Sequence, residues 1–331
     1  MLRFGLLGAG RIGQIHGKNI AGSPDATLVA LADVDKAAAA KLAKATGAEV
    51  RDAKAIIAAG DIDAILIGTP TDTHADLIEA GAKAGKAVFC EKPVALASKR
   101  VERCIKIVEA AGTPLMIGFN RRFDPNFAAL KARIAKGAIG RIEIVTVVSR
   151  DPGPPPVSYI EHSGGLYRDM MIHDFDIARF LLAEEPVEVM AYGSSLVDPA
   201  IGAAGDVDTA LVMMKTASGK LAQISNSRRA AYGYDQRIEV HGSAGMARAD
   251  NILETTVEIA GKSGFAKDPA QNFFLERYAE AYRRELAAFI AAVAKGKAPS
   301  PSGRDGLQAQ RLADAATKSR ETGKPVAVKT D

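Results

Sequence analysis

"LRFGLLGAGRIGQIHG", residues 2–17, decides how the chain begins to fold. The apolar run 2–7 ends in glycines, and helical spacing follows through "IGQIHGKNIAGS". Gly8, Gly10 and Gly13 spell G-x-G-x-x-G between a strand and a helix, with Arg11 and Ile12 inside the pattern. The first glycine permits a tight turn, the second lets backbone approach a pyrophosphate, and the third lets helix pack close on strand. Unpaired N–H groups at the helix start then face an anion. "ATLVALAD" is the next strand and ends at Asp33. A carboxylate there accepts from the ribose hydroxyls and repels a 2′-phosphate, and Val34 and Asp35 follow it where an arginine would serve NADP. NAD is the expected cofactor.

The same grammar continues outward. "KAAAAKLAKATG" is an Ala-rich helix closed by Gly47. Strands "IDAILIGTP", "AVFCEKP" and "PLMIGFN" alternate with helices at "THADLIEAGAKAG" and at about 98–111, where Ser98 is the expected N-cap. Several strands are apolar on both faces, which indicates a parallel sheet covered on both sides. After "FNRRFDPNF" the pattern changes. A helix at about 126–136 leads to "RIEIVTVVSR", and the Pro/Gly-rich loop "DPGPPPVSYIEHSGG" delivers a helix at 166–182. Consecutive strand signals follow, from "VEVMAYGSSLV" to "TTVEIA", with turn residues between them, as in an antiparallel meander. Helices at about 274–295 and 304–321 close the chain.

With 331 residues, the chain has room for two domains. The formal net charge is +4, with no long basic run, which argues against a nucleic-acid partner. Cys90 and Cys104 form no CxxC or Cys/His cluster, so neither structural zinc nor a disulfide framework is expected, in keeping with the cytoplasm. No apolar run approaches the ~20 residues that span a bilayer, and the N-terminus reads as a strand and not as a signal peptide.

Two places carry candidate chemistry. "CEKPVAL", 90–96, falls at the carboxyl end of a strand, where open α/β sheets bind ligands. There Lys92 is either a donor to a substrate hydroxyl or a solvated turn lysine. "GTPTDTH", 68–74, ends another strand on that edge, so Thr69, Pro70 and His74 are candidates for the nicotinamide half of the site. The second place is "RDMMIHDFDIARFLL", 168–182, where Asp169, His173 and Asp176 at i, i+4 and i+7 share one face of a continuous helix. That stripe is a solvated face, a metal site or a catalytic acid–base pair. Only five histidines exist, dispersed at 16, 74, 162, 173 and 241, and no metal is expected. His16 and His241 read as structural.

The combination of "GAGRIG", "TPTDTH", "EKP", "GFNRRFDP" and "GG(x)5MIHDFDIAR" resembles the glucose–fructose oxidoreductase / inositol dehydrogenase / rhizopine-catabolism family of NAD(P)-dependent oxidoreductases, over nearly the whole chain. Within that family, "FNRRFDPNF" and "GYDQRIEVHGS" look most like the inositol 2-dehydrogenases. The resemblance implies an N-terminal Rossmann domain, 1–122, with the helix at about 304–321 packed back on it. It implies a C-terminal α+β domain, 123–300, with an open, mostly antiparallel sheet for substrate binding and for assembly as a dimer or tetramer. It makes His173 the general base, Asp169 a substrate contact that tunes it, Lys92 a substrate and cofactor contact, and Glu91 a cofactor contact. Tyr234 matches a substrate-side tyrosine, and Arg122, Asp151 and Asp176 are hydroxyl ligands by position. The chemistry of alcohol oxidation agrees: it needs a base for the hydroxyl proton and a donor for the developing alkoxide, which suit His173 and Lys92. The expected reaction is oxidation of myo-inositol to its 2-keto product in the cytoplasm. The alternatives are an aldose or other inositol dehydrogenase, a glycoside-cleaving relative that retains NAD, and an NAD-responsive regulator.

Overall fold

The structure is a computed structural model that describes residues 1–330. Its contacts separate into two units. Met1–Phe123 joins Ala281–Gln310, and Asp124–Glu280 joins the chain from Arg311 onward. The segment 281–300, expected in the second domain, therefore belongs to the first unit. The closing helix Gly303–Thr322 has its residues through Gln310 in the first unit and the rest in the second.

The first unit holds a six-stranded sheet of β1 (Leu2–Leu7), β2 (Ala26–Ala32), β3 (Glu49–Val50), β4 (Ala64–Ile67), β5 (Ala87–Glu91) and β6 (Leu115–Gly118). Their order is β3-β2-β1-β4-β5-β6, and every pairing is parallel. The strand order reverses between β1 and β4, the point at which such sheets open a crevice at the strand ends. β4 and β5 are buried along their whole length, as their two-sided apolar character requires. The core joins Phe4, Leu6, Leu66 and Phe89 to Leu286, Phe289 and Ile290 of the helix Ala279–Ala294. Phe289 stacks edge-on against Phe89 at 5.6 Å and lies 6.0 Å from Phe4.

The second unit holds a seven-stranded sheet of β7 (Ile142–Arg150), β8 (Pro186–Ser194), β9 (Thr209–Thr216), β10 (Leu221–Ser227), β11 (Asp235–Gly242), β12 (Gly245–Ala249) and β15 (Val326–Ala327). The order is β12-β11-β7-β10-β9-β8-β15, antiparallel except for β10 with β7. A hairpin of β13 (Glu258–Gly261) and β14 (Gly264–Lys267) stands apart from it. One sheet face is the core, with Val145, Val147, Val189, Val212, Ile224 and Val240 buried, and the helix Ile172–Leu182 packs on β7. The other face exposes Ile144, Tyr192, Leu211, Met213, Leu221 and Met246. Strand alternation produces both faces.

The register also sets one end of this sheet. Arg150 pairs with Ser227 and with Asp235, so the chain beyond β7, beyond β10 and before β11 meets there. Asp151, Arg228 and Tyr234 come from those three segments.

Candidate active site

In the first unit the glycine loop follows β1. Gly8 has φ +102°, and a Cβ there would lie 2.5 Å from the Gly68 carbonyl oxygen after β4. A Cβ on Gly13 would lie 2.0 Å from the Gly8 carbonyl oxygen. Side chains are therefore excluded at both positions, whereas a Cβ on Gly10 would meet nothing within 4 Å. That combination fits a loop folded tightly on itself with one face open to a bulky anion. The helix Arg11–Ala21 begins at Gly10 with no side-chain cap, so its first N–H groups are not taken by a capping side chain. Asp33 ties the end of β2 to this loop. Its carboxylate accepts from the Ala9 N–H at 2.5 Å and from the Asp35 N–H at 2.8 Å, while Val34 is fully exposed. Gly10 and Asp33 thus offer an open backbone and a carboxylate where a dinucleotide needs them.

The neighbouring loops are fastened to one another. His74 is buried, with Nε2 2.8 Å from the Thr69 carbonyl and Nδ1 2.8 Å from the Pro93 carbonyl. Expected among the cofactor contacts, it has both ring nitrogens engaged by protein backbone and clamps the two loops. Thr69 stays half-buried and Pro70 exposed at the head of the helix Thr71–Lys83. Lys92 is half-buried, and its peptide bond to Pro93 is cis.

Glu91 is expected among the cofactor contacts as well. Its side chain turns inward, where Oε1 lies 2.7 Å from His16 Nε2. Glu285, from the helix Ala279–Ala294, completes the cluster, with ligand-type atoms of all three residues within 4.8 Å of one another. The 2.7 Å contact is a hydrogen bond between the imidazole and the carboxylate. Burial, with Glu91 beside it, pushes the Glu285 carboxyl well above the usual carboxylate range. His16 fills its place between Phe89 and Tyr282 by edge-on ring contacts at 5.3 and 5.5 Å. Arg122, expected as a hydroxyl ligand, donates to Asp305 at 2.8 Å and anchors the closing helix within this unit.

In the second unit the opening stripe is not one helix. A short helix, Gly165–Asp169, precedes the helix Ile172–Leu182. The Leu166 carbonyl accepts from both Met170 N–H at 3.1 Å and Met171 N–H at 2.9 Å, and the second is an i→i−5 bond. One residue is inserted into the ladder, a π-type irregularity of the kind that gathers at functional sites. Each residue turns a helix by about 100°. The expected i, i+4, i+7 face is therefore broken. Asp169 and His173 both remain half-buried, while Asp176 turns inward, 1% exposed, with Arg179 Nη1 at 3.4 Å. Asp176, expected as a substrate ligand, is thus a partner of Arg179, which also binds Glu185.

Asp174, next to His173, is fully buried and accepts from Asn226 Nδ2 at 2.9 Å. The same amide donates to the Ser149 carbonyl at 3.0 Å, and Ser149, Gln236 and Tyr278 continue the network. These bonds bolt the start of the His173 helix to β7, β10 and β11. Asp169 accepts from the Tyr159 hydroxyl at 3.0 Å on Oδ1, and Arg228 Nη2 lies 3.6 Å from Oδ2. The Asp151 N–H donates to the Ser227 carbonyl at 2.9 Å, which sets that residue beside Arg228. Tyr234 is buried edge-on against Tyr278 at 6.0 Å.

Family profiles cover almost all of the chain. Residues 2–119 match the oxidoreductase family, NAD-binding Rossmann fold, and residues 131–328 match the oxidoreductase family, C-terminal alpha/beta domain. The chain belongs to the glucose–fructose oxidoreductase / inositol dehydrogenase / rhizopine-catabolism family. Among similar proteins is the inositol 2-dehydrogenase of Rhizobium meliloti (strain 1021), 58% identical over 318 residues, 96% of each chain. The myo-inositol 2-dehydrogenase of Thermotoga maritima is 47% identical over 98% of each chain. A crystal structure of a myo-inositol dehydrogenase from Corynebacterium glutamicum superposes with a TM-score of 0.96 at 44% identity, covering all of both chains. This family member keeps the glycine fingerprint in the NAD-binding domain and Lys92, Asp169 and His173 in their motifs.

Arg228, Tyr159, Asp174 and Glu285 were not singled out in the sequence. Asp174 could have been suspected as an acid on the apolar side of its helix. Arg228 and Tyr159 lie in a strand end and a Pro-rich segment, where periodicity says nothing of direction.

Proposed function

We propose that this chain is an NAD-dependent inositol 2-dehydrogenase that oxidises myo-inositol to the 2-keto product. The observation that carries this reading is full-length similarity, at 58% and 47% identity, to enzymes named for that reaction, together with intact Lys92, Asp169 and His173. NAD would be held by the Gly8–Gly13 loop, by Asp33 at the adenosine ribose, and by residues around Thr69, Pro70 and Lys92. When bound, it supplies the hydride acceptor.

The protein's own residues handle the proton and the hydroxyls. Neutral His173 accepts the proton of the reacting hydroxyl, a task suited to imidazole near neutral pH. Lys92 donates to that oxygen as negative charge develops on it. Asp169 orients a hydroxyl and favours the imidazolium that proton transfer creates. Asp151 and Tyr234, brought to one sheet end, bind further hydroxyls. The test is absorbance at 340 nm with myo-inositol, scyllo-inositol, glucose and xylose. Fastest NADH formation with myo-inositol supports the reading, and a preference for an aldose overturns it.

The apolar face bearing Tyr192, Leu211, Met213 and Leu221 is read as the contact with a second copy of this chain. Replacing Leu211 and Met213 with lysine is expected to lower the mass measured by light scattering to that of a monomer. No helix of the described residues is long and apolar enough to cross a membrane. Cys90 and Cys104 are free and buried, in keeping with work in the cytoplasm.

A further inference from the structure

Arg228 follows the last residue of β10 and is 2% exposed. Its own N–H donates to the Asp208 carbonyl at 2.8 Å, so the backbone is pinned. Two of its guanidinium nitrogens, Nε and Nη2, are buried with no hydrogen-bond partner in the protein. The acid beside it is Asp169, at 3.6 Å from Nη2, longer than a hydrogen bond. The Tyr159 hydroxyl already occupies Oδ1 of that carboxylate, and Arg228 looks toward Oδ2.

Buried polar groups in folded proteins are nearly always paired, and a guanidinium cannot escape the requirement by losing its proton. Nε and Nη2 form one side of the planar fork, and their two N–H bonds point the same way. Such an edge matches two neighbouring oxygens at once, as a carboxylate or a vicinal diol presents them, whereas a lysine offers a single point of charge. A hydroxyl between Nη2 and Oδ2 could accept from the arginine and donate to the aspartate. Asp151 and Tyr234 come from the chain ends that adjoin Arg228 at this end of the sheet.

We infer that Arg228 is a substrate-binding residue whose Nε–Nη2 edge holds a vicinal pair of polyol hydroxyls against Asp169. This rests on the reading of the protein as a polyol dehydrogenase that contacts substrate through Asp169.

The test pairs Arg228→Met and Arg228→Lys with myo-inositol and its monodeoxy analogues, measured as kcat/KM with NAD saturating. In the wild type, removing a hydroxyl that Arg228 holds is expected to lower kcat/KM by about 10- to 100-fold, in line with a lost polar contact. In Arg228→Met the parent substrate is expected to show a raised KM, and removing that same hydroxyl then changes kcat/KM by less than about threefold, because its partner is already gone. Arg228→Lys is expected to recover part of the parent KM without restoring the two-hydroxyl signature. NAD affinity by titration stays at the wild-type value in all three proteins, which also shows that they are folded. Full and equal sensitivity to every deoxy position in wild type and Arg228→Met overturns the inference, leaving a buried arginine bridged by water. A wild type that oxidises no polyol overturns the functional reading first, and this inference with it.

Discussion

Replacing Glu285 with glutamine tests whether a buried carboxyl is kept protonated by the fold. Both carboxyl oxygens of Glu285 are buried without a hydrogen-bond partner, on a residue 0% exposed, and burial followed by the Glu91 charge pushes its pKa well up. The groups facing it are Glu91 and His16, with Tyr282 one turn away on its own helix. In the unfolded chain a glutamate releases its proton near pH 4.3. Above that pH the folded state holds a proton that the unfolded state does not, so stability falls as pH rises, by about 1.4 kcal/mol per unit. From pH 5 to pH 7 the accumulated loss is about 2.5 kcal/mol while the folded carboxyl stays neutral. Glutamine keeps the shape and cannot ionise. Its own effect on packing is nearly the same at every pH and cancels when two pH values are compared. The stability of Glu285→Gln minus that of wild type is therefore expected to grow by about 2.5 kcal/mol over this interval. In scanning calorimetry that is a gain of roughly 4 °C in the Tm difference for a cooperative chain of this length. The growth stops where the folded carboxyl itself ionises, so the break in the curve measures its pKa. A difference that stays flat from pH 5 to pH 7 refutes the reasoning, since Glu285 would then ionise alike in both states.

Three further outcomes follow from the site. Asp33→Ser combined with Val34→Arg removes the carboxylate at the end of β2 and adds a phosphate partner, and is expected to narrow the NAD/NADP ratio of kcat/KM; a wild type that uses both cofactors equally contradicts the role given to Asp33. Lys92→Met is expected to lower kcat with polyol far more than it weakens NAD binding, as measured by steady-state rates and titration, because the glycine loop and Asp33 still hold the dinucleotide; an unchanged kcat removes Lys92 from the mechanism. His173→Ala is expected to lower kcat by a factor of about 10²–10⁴ and to abolish the rise of kcat/KM with pH that a neutral base produces; retention of both the rate and the pH limb makes this histidine structural.

The glycine fingerprint and the parallel sheet were legible in the sequence because both rest on local properties. Gly8 and Gly13 are required by a backbone dihedral and by clashes within a few residues, and β4 and β5 announce two-sided burial in their own composition. The strands of the second sheet were legible for the same reason, since alternation marks each one independently. Their order was not: β7 stands between β10 and β11 and pairs parallel with β10, and β13 belongs to a separate hairpin, so the expected meander is interrupted. Partners were not legible either. The helix Ala279–Ala294 carries an apolar stripe that says it must be covered, not by what, and only the fold joins Phe289 to Phe4 and Phe89. The alignment of Asp169 with His173 and Asp176 was misread because a regular helical period was assumed. One extra residue in the ladder at Met171 rotates everything beyond it, and nothing in the residue types announces that step. Glu91 and Arg122 have the chemistry of ligands, but long side chains can turn either way, and His16, Glu285 and Asp305 decide the direction here. Arg228 lies 59 positions beyond Asp169 in the chain and only 3.6 Å away in space. Pairings at that separation depend on strand register, which is a property of the assembled sheet.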